Sequence, residues 1–160
     1  MITSKSSVFL LIGVAFLAAC ITGCDSKSPD KCTPCPAILQ LAPNLNFRVV
    51  DKATNTDLFF NDPAEYAISD LKMHQLINGH PDTVFLSVDT ENKRFNVRVN
   101  PVGQIDTVIM KVGNKSQDTL LFSIATTKGC CSTTYLNTVS YNGVVVYTHD
   151  KGPEVAVLAK

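Results

Sequence analysis

The chain has 160 residues, with 14 Lys plus Arg against 14 Asp plus Glu, and no tryptophan. A formal charge of zero carries no basic stripe for nucleic acid and no acidic excess that would keep the chain unfolded. With 45% hydrophobic residues, the body of the chain can bury one ordinary core, about two-thirds of its unfolded surface.

Taken in chain order, residues 1–7 (MITSKSS) are polar with one positive charge, Lys5, and residues 8–19 (VFLLIGVAFLAA) are unbroken apolar. A charged start, a short apolar stretch and small residues ahead of a cysteine describe a secretory signal peptide, expected to be helical. A membrane-crossing helix needs about 20 apolar residues. The run counted through Gly23 has 16, so a signal peptide is the better reading.

Ile21-Thr22-Gly23-Cys24 resembles the lipobox of bacterial lipoproteins. That resemblance implies cleavage before the cysteine and acylation of its thiol with palmitate-class chains. Leu17-Ala18-Ala19-Cys20 also matches. Parity favours Cys24: it leaves Cys32, Cys35, Cys130 and Cys131, an even set that suits an oxidising compartment, whereas Cys20 would leave five. Two or more acyl chains, each buried CH₂ contributing about 0.8 kcal/mol, make attachment effectively permanent. The chain is thus expected in the cell envelope, on the periplasmic or the outer side, with the membrane as its first partner.

Residues 25–36 (DSKSPDKCTPCP) are polar with three prolines, a tether that holds a domain off the membrane. Cys32-Thr33-Pro34-Cys35 within it admits three readings. A thioredoxin-like redox pair wants a strand before it and a helix after it; Pro36 follows at once instead. A zinc site with Cys130 and Cys131 would replace the second C-x-x-C knuckle by adjacent cysteines, whose sulfurs converge less easily. Disulfide stapling of the tether to Lys128-Gly129-Cys130-Cys131-Ser132 needs neither feature, and a bridge closing nearly 100 residues is worth roughly 4–5 kcal/mol in the chain-entropy model. Consecutive strand residues face opposite ways, so two such bridges require irregular backbone, for which Gly129 is suited.

The remainder reads as β. Leu45, Phe47 and Val49 alternate on one face, as do Phe95, Val97 and Val99. DTVFLSV (82–88), DTVIMKV (106–112) and DTLLFSI (118–124) resemble one another, each with a wholly apolar face. Residues 112–116 (VGNKS) read as a hairpin loop. Asn142-Gly143, between β-rich runs 134–141 and 144–147, is the preferred type I′ turn, because both central residues need positive φ. Residues 67–77 read mostly as strand, and 154–158 as a last edge strand.

Phe47 to Phe60 (FRVVDKATNTDLFF) resembles the opening strand and turn of carboxypeptidase-regulatory-like, or transthyretin-like, domains, with Asn55 where the usual turn glycine stands. That implies a non-catalytic sandwich. Together these features predict an all-β domain, a single antiparallel β-sandwich (Ig-like or transthyretin-like) of seven to nine strands. The domain boundaries are 1–23 signal peptide, 24–36 tether and 37–160 sandwich.

No catalytic constellation is visible. His74, His80 and His149 stand apart from one another and from any serine or cysteine nucleophile pattern. Asp51, Asp57 and Asp62 read as turn chemistry, not as a calcium loop; no metal or cofactor is expected. The Asp-Thr-aliphatic triplets resemble the O-glycosylation acceptor of Bacteroidota, which would place sugars on Thr83, Thr107 and Thr119, although Asp-Thr also suits strand entry. Tyr135, Tyr141 and Tyr147 cluster near the Asn-Gly hairpin and suggest either cross-strand packing or a glycan platform. The expected role is non-enzymatic, an interaction or structural module for an envelope protein or glycan. A thiol redox protein using Cys32 and Cys35 is the alternative, and a small-ligand or glycan binder a third.

Overall fold

The computed structural model describes residues 42–160. Cys20, Cys24, Cys32 and Cys35, with the signal peptide and tether, lie outside the described residues. Those described fall within one compact unit, Pro36–Lys160, and are all-β apart from a single 3₁₀ turn, Ile68–Asp70.

Ten strands follow in order: β1 Asn44–Val50, β2 Leu71–Ile77, β3 His80–Thr83, β4 Phe85–Asp89, β5 Arg94–Arg98, β6 Ile105–Val112, β7 Gln117–Thr126, β8 Thr134–Tyr141, β9 Val144–Thr148 and β10 Ala156–Ala159. They form a four-stranded sheet, β10-β1-β5-β4, and a six-stranded sheet, β3-β2-β6-β7-β8-β9. One buried cluster draws on both: Phe47, Val49, Phe95, Val97 and Leu158 from the first, Val108, Met110, Leu120, Phe122 and Val139 from the second. Two sheets over one core is an arrangement compatible with a β-sandwich. Phe95 sits at the aromatic centre, 5.5 Å from the Phe47 ring and edge-on to Phe59 at 5.2 Å. Burying each such side chain contributes about 1.5–3 kcal/mol.

The alternation of β1, β5, β6 and β7 is as expected. Leu45, Phe47, Val49, Phe95, Val97, Val108, Met110, Leu120 and Phe122 are all essentially inaccessible. Asn142 and Gly143 take φ of 47° and 84° in the β8–β9 turn. At Asn55 the φ is 57°, so asparagine supplies the left-handed backbone there. It is the non-glycine residue that does so at least cost.

Three expectations need correction. There are ten strands, not seven to nine. The first sheet is mixed: β1 pairs antiparallel with β5 but parallel with β10. β9 runs away from the Asn142-Gly143 turn, and residues 149–155 turn the chain back into the other sheet. There β10 runs in the same direction as β1. Finally, residues 82–88 are not one strand. β3 pairs with β2 in the second sheet and β4 with β5 in the first, with Val84 buried at the switch. Edge position leaves Phe85 exposed beneath the Arg98 guanidinium, 5.3 Å from its ring centre.

Candidate functional site

The Cys130-Cys131 loop joins β7 to β8. Thr127 and Thr133 close its neck. The Thr127 N–H donates to the Thr133 carbonyl (2.9 Å), and the Thr133 N–H donates to Thr127 Oγ1 (2.8 Å). Gly129 takes φ 134°, the irregular backbone expected beside adjacent cysteines. Both cysteines are exposed, and the described residues contain no other cysteine.

The start of the domain lies at the same end. The Val99 N–H donates to the Pro43 carbonyl (3.2 Å), and the Ile124 N–H to the Gln104 carbonyl (2.8 Å). The entry of β1 and the exit of β7 thus both border the crossover 99–104.

The turn after β1 is built by carboxylates acting on their own backbone. Asp51 Oδ1 accepts from the N–H of Thr54 (2.8 Å), the Thr54 hydroxyl (2.9 Å) and the N–H of Ala53 (3.0 Å). These bonds, the Thr54 N–H foremost, hold its carboxyl below the usual range. Asp57 Oδ1 caps the N–H groups of Phe59 and Phe60. The expected turn chemistry is present at both.

The Asp-Thr triplets divide. Thr83 is exposed at the end of β3, whereas Thr107 and Thr119 are half-buried in strands. Asp106 and Asp118 are buried: they share the inward face of Val108 and Leu120. The tyrosines divide too. Tyr141 is buried in the core, Tyr147 lies opposite Val139, and the Tyr135 ring lies 4.5 Å from that of His149, tilted by 37°. They do not share one exposed aromatic surface.

At the opposite end from the cysteine loop lies a polar centre that sequence reading missed. Lys160 Nζ donates to the Ser116 carbonyl (2.6 Å) and pairs with Asp118 Oδ2. Asn142 Nδ2 donates to Asp118 Oδ1 (2.9 Å), and Asn142 Oδ1 accepts from the Thr119 N–H (3.0 Å). Burial opposes ionisation of Asp118, but Lys160, Asn142 and the adjacent Tyr141 hydroxyl outweigh it and keep the carboxyl below its ordinary value. Burial, then the neighbouring Asp118 charge, pushes the Tyr141 phenol up. The signal that could have found this centre is parity: residues 118, 120 and 122 are on one face, so an aspartate there needs a partner.

Around this centre a cleft of about 380 Å³ is lined by Lys52, Lys115 and Ser116 among others. It shares Lys52, Tyr141, Asn142 and Ala159 with an adjoining groove of about 370 Å³, lined further by Val144, Val146 and Val157. The groove lies along the edge strands β9 and β10. Chemically, the cleft offers cations to an anionic group, and the groove offers apolar surface. Comparisons with family models, curated proteins and solved structures return no match.

Proposed function

We propose that the chain is a lipid-anchored cell-envelope protein whose β-domain is a non-enzymatic interaction module. Acyl chains on Cys24, with Cys20 the alternative, hold it at the membrane. Disulfides from Cys32 and Cys35 to Cys130 and Cys131 clasp the domain to its own tether. The observation that carries this reading is the shared end of the domain: the cysteine loop and the entry of β1 border the same crossover. Six residues separate Cys35 from Ala42, and the seven residue steps between them reach at most roughly 25 Å. The irregular backbone at Gly129, φ 134° beside the adjacent cysteines, also favours stapling over the redox reading.

Within this reading the domain is a transthyretin-like sandwich, which the left-handed Asn55 in the β1 turn supports. Thr83, the most exposed of the three acceptor threonines, is the first site for any O-linked sugar, and intact mass of protein from its native host reports it. The decisive experiment is metabolic labelling with palmitate alongside non-reducing peptide mapping. Label lost in Cys24→Ala and kept in Cys20→Ala, with tether peptides linked to the 128–132 loop, is the expected result. An unlabelled mature chain, or a bond between Cys130 and Cys131, overturns it.

A further inference from the structure

The four sheet edges differ in a way that singles one out. An unprotected edge strand presents unpaired N–H and C=O groups, and proteins blunt such edges with proline, charge or short length. β3 carries Pro81 and Asp82. β4 ends in Asp89, which pairs with Arg94, and its Phe85 lies under Arg98. β10 has only four residues and runs into Lys160. β9, Val144-Val145-Val146-Tyr147-Thr148, has neither charge nor proline. Among the described residues it is paired on one side only, by β8, and its Val144 and Val145 are 67% and 58% exposed.

We propose that the seam between β9 and β10 is a docking groove for an extended peptide segment of a partner protein, with aliphatic side chains at alternate positions and a carboxylate at the end that meets Lys52. Three features select this occupant. The Thr148 carbonyl accepts from the Gly152 N–H (2.7 Å), but the outward backbone donors and acceptors of β9 before it are met best by another backbone, as in strand addition to a sheet edge. The groove walls, Val144 and Val146 on one strand and Val157 and Ala159 on the other, repeat every second residue, the period of an incoming strand's side chains.

The third feature is charge. Lys52 is the single charged side chain lining the groove. Lys115 lines the adjoining cleft but lies 3.8 Å from Glu65, and the charge of Lys160 is held by Asp118, so Lys52 is the cation that faces the groove. That end of the groove is therefore positive and complements an anionic terminus. A fatty acid would satisfy the charge and the apolar walls but would leave the β9 edge unpaired.

This deepens the interaction-module reading and rests on it. The two fail separately, because palmitate labelling is blind to the groove and peptide binding is blind to the anchor. The test uses the full chain in lipid nanodiscs and a fluorescein-labelled pool of eight-residue peptides that alternate Val, Ile or Leu with Thr. Each peptide is made as free acid and as C-terminal amide, and binding is followed by polarisation. Pool members bind saturably as free acids, and amidation or Lys52→Glu weakens them by roughly fivefold. Val144→Lys, at an exposed position, abolishes binding while the circular dichroism spectrum stays unchanged. Asp82→Ala, on the β3 edge, has no effect.

The proposal is overturned if no free acid binds, if acid and amide bind alike, or if Val144→Lys binds as the parent does. Sedimentation adds a further arm. A dimer that Val144→Lys dissociates and that the peptides do not displace would make a second copy the occupant, and would overturn it as well.

Discussion

Gln75 and Asn100 exchange two hydrogen bonds. Gln75 Nε2 donates to the Asn100 carbonyl at 2.7 Å, and the Asn100 N–H donates to Gln75 Oε1 at 3.1 Å. Gln75 belongs to β2 in the second sheet and is 1% exposed, while Asn100 begins the crossover that leaves β5 in the first. One side-chain amide thus stands in for the strand partner that this backbone lacks, and it ties the two sheets at the end that bears the cysteine loop.

Gln75→Leu keeps the volume and removes both bonds. The part-buried backbone donor and acceptor of Asn100 then lose their partner, at up to about 1–3 kcal/mol each, so the urea midpoint falls with an unchanged m-value. Gln75→Glu keeps the acceptor but loses the donor and buries a charge. Burial raises the pKa of such a carboxyl in the folded state. Its deficit is therefore largest at neutral pH and shrinks as acid protonates it, whereas the leucine deficit stays constant. Urea titrations of both variants at pH 5 and pH 7.5 separate the two patterns.

This clasp shows where the sequence is transparent and where it is not. The strands that bury one face, β1, β5, β6 and β7, announce themselves by alternation, and Asn142-Gly143 announces its turn by backbone chemistry. The switch at Val84 does not announce itself. Alternation runs on unbroken through residues 82–88 while the chain leaves one sheet for the other, because both sheets turn the same side toward a shared core. The direction of β10 is equally silent, since Ala-Val-Leu-Ala suits a parallel or an antiparallel neighbour. Gln75 alternates with Leu71 and Met73 on one face of β2, but its partner lies 25 residues away in a crossover, and no local pattern encodes that distance. At the candidate groove, the valine-rich run of β9 was legible as strand. That it is an edge follows only from the strand order.

Asp118 makes stability depend on acid. Its carboxyl lies below the ordinary value in the folded protein, and about 3.9 is expected in the unfolded chain. A depressed carboxylate contributes stability that is fully present above the unfolded value and is lost as pH falls through the folded one. Asp51 and Asp89 are depressed as well, so the difference between parent and Asp118→Asn is the informative quantity. Near pH 7 the variant is less stable by about 1–3 kcal/mol, the range for a hydrogen bond to a charged group. The gap narrows below pH 4. Chemical denaturation across pH 2.5–7 measures it, and a gap that does not change with pH would remove Asp118 from this role.

The β8–β9 turn ranks three substitutions. Gly143 takes φ 84°, and a Cβ there would meet nothing within 4 Å. Gly143→Ala therefore carries only the backbone cost of the left-handed region, roughly 1–2 kcal/mol. Asn142 shares that backbone region and also joins Asp118 Oδ1 to the Thr119 N–H through its amide. Asn142→Ala loses the backbone preference and both bonds, so it is the more damaging change. Asn142→Gly recovers the backbone part alone and falls between the parent and Asn142→Ala. Thermal midpoints of the three variants test the order, and equal losses would mean that the amide contacts contribute nothing.

The cysteine loop separates a staple from a redox pair by what reduction does to stability. Thr127 and Thr133 close the neck of the loop without help from sulfur, so reduction leaves the local strand pairing in place. The bonds act instead on the unfolded chain. If they run to Cys32 and Cys35, each closes close to 100 residues, and the first to form contributes roughly 4–5 kcal/mol. The second, sharing nearly the same loop, adds far less, because the chain it would constrain is already constrained. Cys130→Ser and Cys131→Ser as single variants should therefore each lower the thermal midpoint only slightly, while the double variant falls by much more than their sum. A pair that exchanges electrons as its function would show the reverse, ready reduction by mild thiol and a midpoint that barely moves. Calorimetry of the full chain with and without reductant, on all three variants, distinguishes these outcomes.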